Sequence, residues 1–301
     1  MDPIAGDVNE DGKVSAVDAR WALQCAAKKR NLTPEQLLAA DMNGDGRITA
    51  VDARQILKKA AGKDTDTPVA ADKAAVVKAL NEATANAAEA GYDWSRKCYF
   101  TQPLQVLTSS GKNAADTLNG IIQKVDENAT VDSVVGNFLG VTGTQSDPPK
   151  TATKAKGTEV PEAMGSDKFL LQAMELTEGD IKNLKVVGNE YTIQLQNCAN
   201  PQKGSDNNAL NHATKDFITY DEVETSVKEA LGSLSSLLSV ESADVNYTSI
   251  IITAEITDGK LTSLAYTYVM DVKALELRAA VVPMTGKGKC KVDASYTNFV
   301  Y

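Results

Sequence analysis

The chain has 301 residues, with 31 lysines and arginines against 40 aspartates and glutamates, and a formal net charge of −9. An acidic chain of this kind disfavours nucleic acid and anionic membranes as partners, and no apolar stretch reaches the roughly 18 residues that a transmembrane helix needs. Residues 1–62 hold nine acidic and nine basic side chains, so the net negative charge of the chain lies entirely in residues 63–301.

An acidic twelve-residue segment occurs twice, as "DVNEDGKVSAVD" at 7–18 and as "DMNGDGRITAVD" at 41–52. Oxygen-bearing side chains at positions 1, 3, 5, 9 and 12, with glycine at position 6, are the ligand pattern of an EF-hand calcium loop. Two complete copies favour two calcium sites over solvated turns. The predicted ligands are Asp7, Asn9, Asp11, the Lys13 carbonyl, Ser15 and Asp18, and in the second loop Asp41, Asn43, Asp45, the Arg47 carbonyl, Thr49 and Asp52.

Each of these loops is followed by a helix but has no helix before it. The segment before the first loop, residues 1–6, is too short for an entering helix and contains Pro3, which interrupts one. Exiting helices are predicted over residues 16–29 and 50–61. The repeat unit is therefore a loop followed by a single helix.

A third, shorter helix is predicted between the two repeats, in "TPEQLLAA". Thr33 is a good N-cap residue and Pro34 suits the first helical position, because its missing amide has no partner there. We expect Leu37 and Leu38 to add to the core of the unit.

Residues 6–62 resemble a type I dockerin, through the duplicated D-x-N-x-D-G-x-[VI]-x-x-x-D pattern and the single exiting helix. The resemblance implies a small all-α dockerin with two F-hand-like calcium loops, holding two Ca²⁺ ions. It also implies a cohesin module of a scaffoldin as the partner, in a cellulosome-like complex. A secreted protein, in an extracellular or cell-surface complex of an anaerobic bacterium, is what such a module indicates.

The resemblance further implies a cohesin-binding face at loop positions 10 and 11 and on the exiting helix. The residues carried over are Ala16, Val17, Arg20, Leu23 and Gln24 in the first repeat, and Ala50, Val51, Arg54, Leu57 and Lys58 in the second. Many dockerins have hydroxyl residues at positions 10 and 11, whereas both repeats here have Ala-Val. For Leu23 and Leu57 the alternative is a place in the core of the unit.

The remaining four-fifths of the chain begins with a predicted linker, residues 63–71, which is polar and contains proline. A separate domain of unknown function is then expected over residues 72–301. Residues 72–90 predict an amphipathic helix, because their apolar residues recur at helical spacing. Two further helices follow. Residues 141–168 show no apolar pattern of a strand or a helix, so they predict a long exposed loop, which is expected to be mobile.

The second half of this domain is rich in predicted strands. The strongest signal is the Asp258-Gly259 pair between two alternating apolar runs, which is typical of a β-hairpin. Residues 221–238 predict one more helix, capped by Asp221. The body is therefore expected to be an α+β domain with a largely antiparallel sheet.

Neither metal-binding cysteines nor a nucleophilic catalytic motif occurs in this domain. The four cysteines, Cys25, Cys98, Cys198 and Cys290, lack metal-ligand spacing, and the sequence favours unpaired thiols, with one disulfide as the alternative. The single histidine, His212, is expected to be a surface residue. We predict no catalytic residue, although glycoside hydrolysis needs only two carboxylates, which no sequence of this composition excludes.

Three functions follow for the whole chain. The first is a calcium-dependent dockerin that anchors a non-catalytic body to a scaffoldin. The second is a carbohydrate-binding cargo, for which the aromatic cluster in "YDWSRKCYF" at residues 92–100 could form a platform, although core packing is favoured for these rings. The third is a glycan-active enzyme. Polysaccharide is accordingly a candidate ligand of the body.

Overall fold

A computed structural model describes residues 4–44, 47–63, 72–124, 127–138, 140–187, 189–200, 208–219, 222, 225, 238–279 and 282–301. Most of the predicted helix at 221–238, most of the predicted linker, and Asp45 with Gly46 of the second loop therefore lie outside the described residues; of that helix, Glu222 and Thr225 are described and are helical. No described helix is both long and apolar enough to cross a membrane.

The first three helices form a small unit, which we call the N-terminal unit (residues 4–62). Its helices are α1 (Ala16–Ala26), α2 (Pro34–Ala40) and α3 (Ala50–Ala60). Each begins with a capping box, in which the N-cap hydroxyl accepts a main-chain hydrogen bond and the third residue bonds back. The N-caps are Ser15, Thr33 and Thr49, so the helix starts are where local sequence predicts them.

The first helix ends earlier than predicted, at Ala26 instead of residue 29, because the chain turns left-handed at Lys28 (φ 56°). The Lys29 amide then donates to the Gln24 carbonyl at 2.8 Å, which closes a Schellman-type turn. The same turn ends α3, where Gly62 has a φ of 66°. Both helices therefore stop through the same main-chain geometry.

The core of the N-terminal unit is made mostly of small side chains. Its buried members are Val8, Ala19, Ala22, Ala40, Met42, Ala53 and Ile56. The expectation that Leu37 and Leu38 join this core is wrong, since both are only half-buried and α2 contributes alanines instead. The loop-derived Val8 and Met42 fill the space between α1 and α3.

The body is built on an eight-stranded sheet in which every pairing is antiparallel. Its strands are β1 (Gly91–Thr108), β2 (Lys150–Lys154), β3 (Ile181–Val187), β4 (Glu190–Leu195), β5 (Cys198–Ala199), β6 (Leu238–Thr257), β7 (Lys260–Ala279) and β8 (Val282–Val300). The order across the sheet is β2-β1-β8-β7-β6-β4-β3, with β5 beside β6. The predicted largely antiparallel sheet is confirmed.

The central hairpin of the sheet has the predicted turn. Strands β6 and β7 are 20 residues each and meet at Asp258 and Gly259, whose φ angles are 51° and 71°. Two successive positive φ angles are those of a type I′ turn, which matches the twist of the strands it joins. This hairpin fixes the register of the longest strand pair.

In the described part of the body, four further α-helices have defined bounds: α4 (Lys73–Ala87), α5 (Ala115–Ile122), α6 (Val131–Phe138) and α7 (Ala209–Ala213). Helix α4 packs on β6 and β7 with its apolar face, which includes Leu80 and Ala83. The expectation of one long loop over residues 141–168 is wrong in part. Residues 150–154, Lys-Thr-Ala-Thr-Lys, form β2, which pairs with β1. No alternation of apolar residues predicts this strand.

Candidate functional site

The first loop of the repeat is curled around its own side-chain oxygens. The Asp7 carboxylate accepts hydrogen bonds from the amides of Asp11 (3.1 Å) and Gly12 (2.8 Å). Asn9 Oδ1 accepts from the Asp11 amide at 3.1 Å, and Asp11 Oδ1 accepts from the Lys13 amide at 2.9 Å. These bonds bring the oxygens of loop positions 1, 3 and 5 to the inside of one turn.

Two left-handed residues make the turn this tight. Gly12, at position 6, has a φ of 84°, and Glu10, at position 4, has a φ of 62°. The second repeat has Gly44 at position 4, with a φ of 68°. The two loops thus share a backbone path, which glycine follows without cost and Glu10 follows with some strain.

The side chain at the last loop position, Asp18, holds the two ends of the loop together. Asp18 is fully buried, and its Oδ1 accepts from the amides of Val8 (2.9 Å) and Asn9 (3.0 Å). Its Oδ2 accepts from the amide and the hydroxyl of Ser15, both at 2.8 Å. Asp18 is therefore at once loop position 12 and the third residue of α1, so loop and helix share one carboxylate.

The second loop repeats this arrangement where it is described. Asp52 is fully buried and accepts from the amides of Met42 (3.0 Å) and Thr49 (2.8 Å). The Gly44 amide donates to Asp41 Oδ1 at 2.9 Å. The two loops are thus related by the same approximate symmetry as the helices that follow them.

The donor set of these loops fits a hard cation. Carboxylate, amide, hydroxyl and main-chain oxygens are what Ca²⁺ binds, in groups of about six to eight. Within the described part of the chain, no three His, Cys, Asp or Glu side chains converge on a common metal position. In the first loop, Asp18 is turned towards main-chain amides.

The residues predicted to contact a partner form an exposed surface on α1 and α3. Ala16, Arg20, Ala50 and Arg54 are exposed. The large apolar members are also exposed: Val17 at 41 %, Leu23 at 45 %, Val51 at 43 % and Leu57 at 46 %. The alternative that Leu23 and Leu57 belong to the core is therefore wrong, because Ala22 and Ile56, one residue earlier, fill it.

The two helices are not identical on this surface. Gln24 is half-buried, and its Oε1 accepts from Arg30 Nε at 2.9 Å. The Arg30 guanidinium also lies 3.8 Å from the centroid of the Trp21 ring. The second repeat has the fully buried Gln55 in place of Trp21, and the half-buried Lys58 in place of Gln24. The first repeat alone therefore carries an aromatic-cation pair beside the exposed leucine.

The expectation that His212 is a plain surface residue is wrong. It lies on α7 with its side chain only 14 % exposed, and Nδ1 is 2.8 Å from Asp180 Oδ2. The same carboxylate oxygen accepts from the amide and hydroxyl of Thr177. Sequence alone could not find this pair, because its members are 32 residues apart and Asp180 lies in no motif.

The aromatic cluster of residues 92–100 lies largely in the core. Tyr92 and Trp94 are 1 % and 2 % exposed, and the Tyr92 ring meets Tyr296 edge-on at 5.3 Å between centroids. The Trp94 ring lies 5.6 Å from that of Phe169. The prediction that these rings pack in the core is therefore confirmed for Tyr92 and Trp94, which are too buried to form a platform for a sugar ring.

A buried ion pair, which the sequence did not indicate, lies beneath the sheet. Arg96 Nε donates to Asp216 Oδ2 at 2.7 Å, and Arg96 Nη1 donates to the Gly140 carbonyl at 2.8 Å. Tyr266 donates to the same carboxylate oxygen at 2.8 Å, and Tyr268 donates to the Asp216 carbonyl. Burial alone would lower the pKa of Arg96, but the adjacent Asp216 carboxylate outweighs it and raises that pKa. The network fastens two irregular segments to strands β1 and β7.

Comparison with known proteins bears on the N-terminal unit. Residues 5–60 match the family model described as the dockerin type I domain. No curated protein and no solved structure matches the chain. The resemblance predicted for residues 6–62 is therefore confirmed, and we call residues 5–60 the dockerin module. Type I dockerins bind calcium and attach to cohesin modules in extracellular, cellulosome-type complexes.

Proposed function

We propose that this chain is a scaffold-anchored cargo, in which the dockerin module attaches the body to a cohesin-bearing scaffoldin in a calcium-dependent manner. The family match supports the attachment to cohesin. The observation that carries the assignment to particular residues is the exposure of Val17, Leu23, Val51 and Leu57, which occupy matching positions in the two repeats. Exposed aliphatic side chains at repeated positions are typical of a protein-binding surface.

We further propose that the module holds two Ca²⁺ ions, one in each loop. The matched hydrogen-bonding of Asp18 and Asp52 and the matched left-handed residues Glu10 and Gly44 support two equivalent sites. Each ion would be held by the oxygens of loop positions 1, 3, 5, 7, 9 and 12, as predicted from the sequence. The ion would supply the charge that lets several carboxylates lie within one small turn.

The proposed binding surface comprises all ten predicted positions. These are Ala16, Val17, Arg20, Leu23, Gln24, Ala50, Val51, Arg54, Leu57 and Lys58. The apolar members would bury their surface against cohesin, while Arg20 and Arg54 would make polar contacts at its rim. Because the surface occurs once on each helix, a half-turn of the module presents similar residues to the same partner.

For the body we propose a non-catalytic role, with residues 63–71 as a linker to it. Tyr92 and Trp94 are buried, which gives no support to a carbohydrate-binding platform. No observation on the described residues identifies a pair of carboxylates as a glycosidase site. Carbohydrate binding and glycan hydrolysis remain the two competing functions. A glycan array and a hydrolysis assay on the intact chain separate the three, since binding without turnover, turnover, or neither would each select one.

The anchoring role is tested by titrating a panel of cohesin modules into the intact chain, with calcium and with a chelator. Binding of at least one cohesin in calcium, and its loss on chelation, is expected. A chain that binds no cohesin of the panel in calcium, or binds equally well in chelator, contradicts the proposal. A variant with Leu23 and Leu57 both changed to Asp should bind calcium but not cohesin, whereas the matched change of exposed Lys28 and Lys59 to Ala should leave binding intact.

A further inference from the structure

Two of the three cysteines of the body lie side by side beneath the sheet. Cys98 is on β1 and Cys290 is on the neighbouring β8, where Cys98 faces Val292 and Cys290 faces Phe100. The two cysteines are therefore diagonal neighbours on adjacent antiparallel strands. Residues placed in this way are about 7–8 Å apart, so a disulfide between them requires a small shift of the two strands towards each other. Both are buried, at 0 % and 1 % exposure, so both side chains point to the core side of the sheet. All four cysteines are free thiols in the structure, and those of Cys98 and Cys290 are in hydrogen-bonding contact.

The other two cysteines are too far away to compete. Cys198 lies on β5, which pairs with β6, and strands β7 and β6 separate it from Cys290. Three strand spacings place it roughly 14 Å from β8, whereas a disulfide needs Cα atoms less than about 7 Å apart. Cys25 lies on α1 of the dockerin module. The fold thus selects one pair from several that the sequence allowed.

Arg96 adds a charge to this pair. It lies two residues before Cys98 on the same strand, so both side chains face the core, and the guanidinium hydrogen-bonds to the Cys98 sulfur. The hydrogen bond from Cys290 lowers the pKa of Cys98, against the effect of burial, and the positive charge of Arg96 acts in the same direction. The pKa of Cys290 is raised, because its proton is held by Cys98 and because it is buried. In the folded body the two sulfurs are therefore unequal.

We propose that Cys98 and Cys290 form an intramolecular disulfide when the chain folds in an oxidising environment, and that this bond fastens β1 to β8. The oxidant is a second disulfide, either that of a thiol–disulfide oxidoreductase or that of a small molecule such as oxidised glutathione. The inference does not depend on cohesin binding, since neither residue belongs to the dockerin module.

The exchange proceeds in two balanced steps. The thiolate of one of the two cysteines attacks one sulfur of the oxidant, which breaks the oxidant's S–S bond, forms a mixed disulfide and releases one thiolate. The other cysteine then loses its proton and attacks the cysteine sulfur of the mixed disulfide, which forms the Cys98–Cys290 bond and releases the second thiolate. The two cysteines lose two electrons, and the oxidant gains them as two thiols. Because both sulfurs are buried in the folded body, the exchange precedes the final closure of β8 onto β1.

The test uses the intact chain, refolded with oxidised glutathione, then denatured, alkylated without reductant, digested and analysed by mass spectrometry. A peptide pair linked through Cys98 and Cys290 is expected, with Cys25 and Cys198 alkylated. Four alkylated cysteines, or a linkage that includes Cys25 or Cys198, would overturn the proposal. This measurement on the unaltered chain does not depend on whether any variant folds.

A thermal measurement gives a second, independent readout. Reductant should lower the unfolding temperature of the oxidised body by about 5–15 °C, since the bond closes a very long loop. Cys98→Ser should remove this sensitivity to reductant, whereas the matched control Cys198→Ser should keep both the linkage and the sensitivity. An oxidised body whose unfolding temperature reductant leaves unchanged would contradict the role of the bond in fastening the two strands.

Discussion

Lys28 and Gly62 hold the same position in the two repeats, one residue beyond the C-cap of α1 and of α3, and both are left-handed, with φ angles of 56° and 66°. Glycine adopts this conformation without cost, whereas a residue with a β-carbon does not. The first repeat therefore carries backbone strain that the second avoids.

Replacement of Lys28 by glycine should accordingly stabilise the dockerin module by about 0.5–1 kcal/mol. Urea unfolding in calcium, followed in the intact chain, measures this. The reciprocal change, Gly62→Lys, is the matched control and should destabilise by about 1 kcal/mol. A Lys28→Gly variant less stable than the original would show that the lysine side chain contributes more than its strain costs.

Removal of calcium should unfold the dockerin module and leave the body folded. The core of the module consists mainly of alanines and two loop residues, Val8 and Met42, so it has little apolar surface to hold it without the ions. Circular dichroism and a thermal scan in chelator should show loss of helix and retention of the transition of the body. A scan identical in calcium and in chelator would refute calcium-dependent folding.

The stoichiometry of calcium should fall by one for each loop that is damaged. Asp7→Ala and Asp41→Ala each remove the first ligand of one loop, and each should lower the number of bound ions from two to one. Isothermal titration with calcium counts them. Asp116→Ala, on the exposed start of α5, is the control and should leave two ions bound.

Cohesin binding should be redundant between the two repeats. Ala16 and Val17 changed to bulky charged residues should weaken binding only modestly, because Ala50 and Val51 present the same surface after a half-turn. The reciprocal double variant should also bind, and the quadruple variant should not, while its calcium uptake persists. Titration of the three variants against a cognate cohesin decides this. If one double variant alone abolishes binding, only one orientation is used, and the Trp21–Arg30 pair of the first repeat is the structural difference to examine.

Removing one partner of the Arg96–Asp216 pair should strongly destabilise the body. Arg96→Met leaves the buried Asp216 carboxylate without its cation, and the expected loss of stability is about 3–5 kcal/mol. Urea unfolding of the body measures the loss. The exposed pair Lys78–Glu82 supplies the control, since Lys78→Met should change stability by less than about 1 kcal/mol.

The body should lose stability as the pH rises above about 10. Burial raises the pKa of a group of core tyrosines, so that they ionise in the unfolded chain before they can do so in the folded one. These are Tyr92, Tyr247, Tyr266, Tyr268 and Tyr296. Their contribution is fully present below the unfolded pKa and is lost above it. Absorbance at the phenolate band, followed with circular dichroism, should show their titration coinciding with unfolding, and tyrosines that titrate while the body remains folded would contradict this prediction.

The repeats of this chain could be predicted from sequence because their determinants are local. Loop ligands, N-caps and the Asp258-Gly259 turn each act within about a dozen residues, so their pattern is visible in the chain itself. The end of α1 was missed because a lysine, not a glycine, occupies the left-handed position. Strand β2 was missed because an edge strand with polar side chains carries no apolar alternation.

The body's internal contacts could not be predicted because they are non-local. Arg96 and Asp216 are 120 residues apart, and Cys98 and Cys290 are farther still. The strand order, with β8 between β1 and β7, brings the two cysteines together, and Asp216 reaches Arg96 from an irregular segment that Tyr266 and Tyr268 of β7 hold in place. Sequence patterning indicates which face of a strand is buried, but the identity of its neighbour is set by the topology of the whole sheet.

The outermost strands of the sheet, β2 and β3, have five and seven residues, whereas the four long strands β1, β8, β7 and β6 have 18 to 20. Both carry lysines, and where β2 ends, the Thr142 amide donates to the Cys98 carbonyl and Asn113 bridges to Leu107 of β1. Edge strands that are short, carry charged side chains and are partly covered leave few main-chain amides and carbonyls with which a neighbouring chain could pair. On a scaffold that gathers many copies of such cargo at high local concentration, these edge strands would keep adjacent bodies from joining into a continuous sheet and so from aggregating.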